Sequence, residues 1–424
     1  MKVLMISVNA EEIYMSTWPL GLACVTESVR AASHTAKFLD LMQVDDIIAA
    51  TQMTLEDFKP DVIGISIRNI DSQKMTGQTF FPESAHDIVV GCRSITRAPI
   101  IIGGAGYSIY PESLLKYLQA DMGIQGEGEI SFVETVDRIE KGASVEGVPG
   151  LYISGLGLTG PRRFEKNLDN LPLPDVSWFS GSVPKDKDFW MPVQTRRGCP
   201  MNCSYCSTGS IEGNLLRKRS PQKVVEWLRQ WRETGVKQFY FVDNTFNLPP
   251  VYAGDLCREM IASDLNASWR CIIYPTRTNE NLIILMAESG CKEVSIGFES
   301  GSTFILNAMN KKFTNDDVRY TCDTLAKHGI RRMGFLLLGG PGETRETVME
   351  SLRFADSLGL DTLKLTVGIR IYPQTILAKT AVKDGIIAPD DDLLQPRFYM
   401  VPGLQEWLIN IVNEWIALRP NWIS

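Results

Sequence analysis

Histidine is nearly missing from this chain: three residues in 424, His34, His86 and His328. Imidazole-rich metal or acid–base sites are therefore poorly supplied. No apolar stretch approaches the ~18 uninterrupted residues that a membrane span needs. The opening "MKVLMISVNAEEIYMS" is too short an apolar run for a signal peptide and reads as a first β-strand. Positive charge is not in excess either: 43 Lys and Arg face 50 Asp and Glu, a net charge of −7. Without a basic field, a nucleic-acid partner is not expected. Internal repeats and low-complexity segments are absent. The expectation is a cytoplasmic protein with no transmembrane span. In a reducing cytosol its nine cysteines argue against a disulfide framework and assign any cluster of them to metal or catalysis.

What is present first is alternation. The runs "KVLMISV" (2–8), "TAKFLDL" (35–41), "DVIGISI" (61–67), "PIIIGG" (99–104) and "MGIQG" (122–126) are short and apolar, with helical patterns between them at 21–32 and 85–94. Regular β/α alternation predicts a parallel sheet covered on both faces. Residues 1–145 thus read as a doubly wound, Rossmann-like α/β domain. Residues 146–190 contain an aperiodic Pro-, Asp- and Ser-rich stretch and read as a linker. A second β/α series follows over 191–380, with strands at 191–198, 238–243, 268–275, 293–300, 331–339 and 362–373. Six βα units predict a (β/α)6 partial TIM barrel with its chemistry at the strand C-termini. Residues 381–424 read as a short helical C-terminal extension, with Trp407, Ile411 and Trp415 on one helical face. That face lacks the basic border of a membrane-surface helix and is expected to pack on the barrel.

Just after the first barrel strand stands "RRGCPMNCSYCSTGS" (196–210), where Cys199, Cys203 and Cys206 are spaced C-x3-C-x2-C. A closed structural zinc site uses four protein ligands, and an iron–sulfur cluster also prefers four thiolates. Three thiolates on a four-iron cluster leave one iron open to bind a substrate or cofactor. A zinc knuckle, or three incidental core cysteines, is the competing reading. Cys24, Cys92, Cys257, Cys271, Cys291 and Cys322 show no ligand spacing and read as buried small hydrophobes. Cys271 lies on a barrel strand and is also a candidate substrate-facing catalytic thiol.

The cysteine spacing after a barrel strand resembles the radical S-adenosylmethionine superfamily. The resemblance implies a [4Fe–4S] cluster on Cys199, Cys203 and Cys206 whose open iron is chelated by the amine and carboxylate of S-adenosylmethionine. Reductive cleavage of the sulfonium then gives a 5′-deoxyadenosyl radical. It further implies that Tyr205 packs near the adenine and that Glu299, in "GFESGS", holds the ribose or amino group. Gly339, in "GFLLLGGPGET", would let the backbone approach the adenine, and Tyr372 would end the sixth-strand segment "GIRIYPQT". Where the family often has Gly-Gly-Glu, this chain has "FVDNTFN", so Asp243 or Asn244 would take the amine contact. Arg270 and Arg277 are candidates for a cofactor carboxylate or an anionic substrate.

The order of pieces over 1–145 resembles the cobalamin-binding domain of cobalamin-dependent radical enzymes. The resemblance implies that Gly103, Gly104 and Gly106, with Gly126, Glu127 and Gly128, line the corrinoid. The loop "NAEEIYMSTWPLG" (9–21) carries no histidine, and His34 and His86 fall in the wrong places. Cobalamin would therefore lack a histidine lower ligand. Ser66, Arg68 and Asn69, in "SIRNID", would lie beneath the corrin, with Arg68 or Asn69 facing cobalt. Arg68 is equally readable as the partner of Asp71 or Asp61.

These resemblances imply a cobalamin-dependent radical S-adenosylmethionine methyltransferase. It would move a methyl from methylcobalamin to an unactivated carbon of a small-molecule or lipid substrate. An electron donor such as flavodoxin or ferredoxin would be its partner. Two alternatives stay open: rearrangement, ring contraction or cyclisation without methyl transfer, and a corrinoid carrier or sensor whose cluster is structural.

Overall fold

The computed structural model describes residues 1–9, 17–186 and 188–424. The histidine-free loop therefore lies largely outside the described residues. Two compact units divide the chain. One comprises Met1–Ser72, Gln78–Phe189 and Ser207–Lys218; the other comprises Gln73–Gly77, Trp190–Cys206 and Arg219–Ser424.

The first unit is built on β1 (Lys2–Ser7), β2 (Thr35–Asp40), β3 (Val62–Ser66), β4 (Ile100–Gly103) and β5 (Met122–Ile124). They pair in parallel in the order β2-β1-β3-β4-β5. Helices Leu20–Ala31, Ile47–Phe58 and Pro82–Ile95, and the pair Ala105–Ile109 and Pro111–Leu118, make the crossovers, and Gly128–Glu140 follows β5. The inner strands β1, β3 and β4 are largely apolar and buried because both faces are covered, whereas the edge strand β2 is half-buried and carries Lys37. Val3, Met5, Val62, Ile101, Phe132 and Val136 form one buried cluster beneath them.

The linker expectation needs correction. β6 (Leu151–Ile153) and β7 (Gly157–Leu158) extend this sheet, pairing antiparallel. Tyr152 and Leu151 are buried there. Such a three-residue strand is too short to show a period, so composition alone read the region as connector.

The second unit carries β8 (Met191–Val193), β9 (Gln238–Phe241), β10 (Ser268–Ile273), β11 (Cys291–Glu299), β12 (Arg331–Leu338) and β13 (Thr362–Val367). These six parallel strands lie side by side in chain order, as a (β/α)6 partial barrel requires. Their helices begin on sequence-local caps. Thr314 and Asp317 form a capping box at Asn315–Lys327, and Thr344 and Thr347 form another at Arg345–Ser357. The C-terminal tail is not only helical. After the helix Gln405–Ala417, β14 (Trp422–Ile423) adds a seventh parallel strand beside β13. The helix buries Leu408 and Val412, and Trp415 stacks on Trp422 at 5.6 Å between centroids. The tail therefore packs on the barrel as expected, but through Leu408 and Val412, while Trp407, Ile411 and Trp415 are half-buried.

Candidate functional site

Alternation along the barrel strands sorts their side chains. Trp269, Cys271 and Ile273 on β10, Val294, Ile296 and Phe298 on β11, and Leu336 and Leu338 on β12 are buried on one face. Arg270, Ile272, Phe335 and Leu337 lie half-buried on the other. Cys271 is thus on the wrong face for a substrate thiol. It is fully buried beside Cys291 and beside Cys257 of the helix Pro250–Ala262. Burial, then the neighbouring thiols, pushes its thiol well above the ordinary cysteine range. All six cysteines outside the cluster spacing are buried, as expected of small hydrophobes.

The loop bearing Cys199, Cys203 and Cys206 follows β8. Cys199 is buried, Cys203 half-buried and Cys206 exposed. The loop is strapped from two sides. Ser204 N donates to Met309 O at 3.0 Å, and Ser204 O accepts from Leu377 N at 2.8 Å. Asn310 Nδ2 donates to Asn202 O. Among the described residues, one trio of His, Cys, Asp or Glu ligand atoms lies mutually within 4.8 Å: His34, Asp137 and Glu140. The three thiols do not. A single tetrahedral zinc with Zn–S of about 2.3 Å would hold its sulfurs about 3.8 Å apart. A set wider than that is compatible with the larger frame of a multi-iron cluster. The His34 trio is self-satisfied: its ring meets the Met1 ammonium at 3.1 Å and Asp137 at 2.8 Å.

Beside the cysteine loop stands a polar group that the sequence reading half found. Tyr205 Oη donates to Glu299 Oε1 at 2.9 Å, and Lys311 Nζ approaches the same oxygen at 3.2 Å. Glu299 ends β11 at a register shift against β12, with φ of +60°. A bulge that holds a non-glycine residue in the left-handed region re-aims a side chain at a strand end, and such strain gathers at functional sites. Burial opposes the charge on Lys311. Glu299, then Tyr205 and Cys203, outweigh it and hold the ammonium well above the ordinary lysine range. The Tyr205 phenol is pushed up by burial and then by Glu299. Lys311 was missed because a lone lysine after a helix carries no motif.

Two expected contacts are corrected. Asp243 does not face an open site: it is fully buried, and both oxygens are engaged. They accept from Thr195 N at 2.7 Å, Thr195 Oγ1 at 2.6 Å, Arg196 N at 3.0 Å and Arg196 Nε at 3.2 Å. Asp243 therefore anchors the turn that leads into the cysteine loop. Asn244 is half-buried at the same strand end. Glu127, in the first unit, is held by Arg217 and accepts from Glu165 N at 3.0 Å, so its carboxylate is structural.

The glycines divide in the same manner. A Cβ on Gly104, at φ of +101°, would stand 2.5 Å from Ile67 O, so this glycine serves the approach of the loop after β3. A Cβ on Gly106 would stand 3.1 Å from Arg68 O. Gly103 has open space, with Ile124 O at 3.7 Å the nearest atom. Ser108, fully buried, ties the two glycine loops together. Its Oγ donates to Gly104 O at 2.8 Å and accepts from Gly126 N at 2.9 Å. Gly128 starts the helix Gly128–Glu140. Ser66, Arg68 and Asn69 are half-buried at the C-terminal end of β3, and Asn69 Nδ2 reaches Asn9 Oδ1 at 3.4 Å. Asp61 accepts from Lys2 N at 2.7 Å.

At the end of β12, Glu343 Oε2 accepts from Gly339 N and from Gly340 N, the latter at 3.1 Å. A Cβ on Gly339 would meet Met400 at 2.6 Å, so its freedom is used in packing. Tyr372 is half-buried with Arg370 5.2 Å from its ring centroid. Arg270 lies between the rings of Trp190 and Tyr240, and Arg277 stacks on Tyr320.

Two family profiles match the chain: the radical SAM superfamily over residues 193–355 and the B12 binding domain over residues 6–136. An uncharacterized methyltransferase of Pyrococcus horikoshii is 30% identical over 378 residues, which cover 87% of this chain and 79% of the relative. Cytidylyl-2-hydroxyethylphosphonate methyltransferase of Streptomyces wedmorensis is 24% identical over 486 residues, covering 98% and 86%. Among solved structures, the radical S-adenosylmethionine methyltransferase TsrM of Kitasatospora setae, with cobalamin and a [4Fe–4S] cluster bound, superposes with a TM-score of 0.86. It shares 20% identity over all of this chain and 90% of its own, a likeness of fold.

Proposed function

We propose a reaction on the premise that this chain belongs to the cobalamin-dependent radical S-adenosylmethionine enzymes, the family it shares with methyltransferase relatives. The reaction moves a methyl group onto an unactivated carbon of a small-molecule or lipid substrate. The observation that carries this reading is the loop after β8 that holds Cys199, Cys203 and Cys206 and is strapped at Ser204 by Met309 O and Leu377 N. A [4Fe–4S] cluster, S-adenosylmethionine and cobalamin supply, when bound, one-electron cleavage of a sulfonium and a cobalt-borne methyl.

The chain's own residues bind and orient. Cys199, Cys203 and Cys206 hold the cluster. Glu299, fixed by Tyr205 and Lys311, presents a carboxylate at a strand end, where it accepts from hydroxyls or an amine of S-adenosylmethionine. Glu343 fixes the Gly339–Gly340 turn that the adenosine lies against. In the first unit Gly103, Gly126 and Gly128 form the floor for the corrinoid, with Ser66, Arg68 and Asn69 beneath it and no histidine ligand. A flavodoxin or ferredoxin in the cytoplasm supplies the electron. Among the described residues, no helix is long and apolar enough to cross a membrane.

Anaerobic reconstitution of the full chain tests the reading. The expected result is about four irons and one corrinoid per chain, as a single cluster requires. Incubation with methyl-labelled S-adenosylmethionine and a substrate should yield labelled product together with 5′-deoxyadenosine. Tightly bound zinc without corrinoid overturns the cofactor assignment, and an unlabelled product overturns methyl transfer.

A further inference from the structure

We propose that Lys311 is a positioning residue that raises the reduction potential of the cluster carried by Cys199, Cys203 and Cys206, with Glu299 opposing it. The inference rests on the assignment of those thiols to an iron–sulfur cluster. Lys311 is 8% exposed, in the loop that follows the helix Thr303–Ala308. Its Nζ lies 3.2 Å from Glu299 Oε1 and 5.3 Å from the centroid of the Tyr205 ring, between two cluster cysteines in the chain. The rings of Tyr274 and Phe313 stand 5.8 and 5.9 Å away. The segment that carries Lys311 is tied to the cysteine loop itself, through Met309 O to Ser204 N and through Asn310 Nδ2 to Asn202 O.

Removing an ammonium from water costs several kcal/mol, and one carboxylate offsets that cost only with good geometry. This placement sets a fixed cation beside the cysteine loop, behind aromatic walls that keep water and salt from screening it. The backbone holds it there: Met309 O accepts from Ser204 N at 3.0 Å, and Lys312 N donates to Tyr274 Oη at 2.8 Å. A nearby positive charge favours the reduced form, which holds one electron more. A carboxylate in the same place favours the oxidised form. Lys311 therefore eases electron uptake from the donor, and Glu299 limits that effect.

The test is a redox titration, followed by electron paramagnetic resonance, of the anaerobically reconstituted full chain without S-adenosylmethionine. At a fixed poise, Lys311→Met should lower the ratio of reduced to oxidised cluster about tenfold, a fall of about 59 mV for a one-electron couple. Glu299→Gln should shift the ratio the opposite way. Lys311→Arg should stay within about threefold of wild type, since it keeps the charge. The double variant should return toward wild type. A Lys311→Met protein with full iron content and an unshifted potential overturns the proposal. So does a shift that emerges only after S-adenosylmethionine is added, which would make Lys311 a cofactor contact. If Lys311→Met fails to hold iron, Glu299→Gln decides, and no rise there overturns it. Wild-type protein that reconstitutes without iron defeats the cluster assignment instead.

Discussion

Glu343 shows how burial turns one side chain into a pH-dependent element. It is 3% exposed, and its Oε1 has no hydrogen-bond partner. Burial raises its carboxyl from about 4.5 to about 7, against the lowering effect of Gly339 N and Gly340 N. The folded form thus binds this proton more tightly than the unfolded chain. The stability it contributes is present below about pH 4.5 and is lost as pH rises toward 7, on the order of 3 kcal/mol. Glu343→Gln removes the titration. Its stability advantage over wild type in urea unfolding should grow from pH 5 to 7.5, and parallel curves would refute the argument. Asp243→Asn leaves Arg196, 1% exposed, without its counter-charge. Breaking such a buried pair costs about 3–5 kcal/mol. Because Arg196 leads into the cysteine loop, the variant should also retain less iron after desalting. Cys271→Ala should lower the unfolding midpoint by a cavity cost of about 1–2 kcal/mol while iron content stays at the wild-type value.

At the scale of elements, the last strand is the informative one. β14 pairs Leu363 with Trp422 and Lys364 with Ile423. Trp422, 5% exposed, stacks on Trp415, and Arg419 lies 4.9 Å from its ring. Trp422→Ala should cost about 3–5 kcal/mol in chemical unfolding. It should also increase aggregation on concentration, because the β13 edge loses its cover. An unchanged midpoint would make the strand dispensable. The same scale shows what could be read beforehand. The β/α alternation, the longer barrel strands and the amphipathic C-terminal helix were legible because each is a local period over several residues, and the three-residue β5 and β8 were legible as apolar runs placed in that alternation. β6, β7 and β14 are two or three residues long and fall outside it, and no period exists at that length.

For the whole molecule, the cluster thiols and the matched B12 segment occupy separate stretches, Cys199–Cys206 and residues 6–136. Cys203→Ala should therefore abolish bound iron and 5′-deoxyadenosine release while corrinoid per chain stays near wild type. Loss of both cofactors together would show that the two sites are not independent. The net charge of −7 gives the chain no overall basic field.

Sequence alone determined the two α/β series, the thiol spacing and the shortage of histidine, because periodicity, spacing and composition are properties of neighbours along a chain. Tertiary structure alone decided what the carboxylates and thiols do. Asp243 meets Thr195 across 48 positions, Glu127 meets Arg217 across 90, and Tyr205 meets Glu299 across 94. Whether a charged side chain is a ligand or a strut depends on which partner the fold brings within hydrogen-bond reach. That partner leaves no mark in the residues beside it.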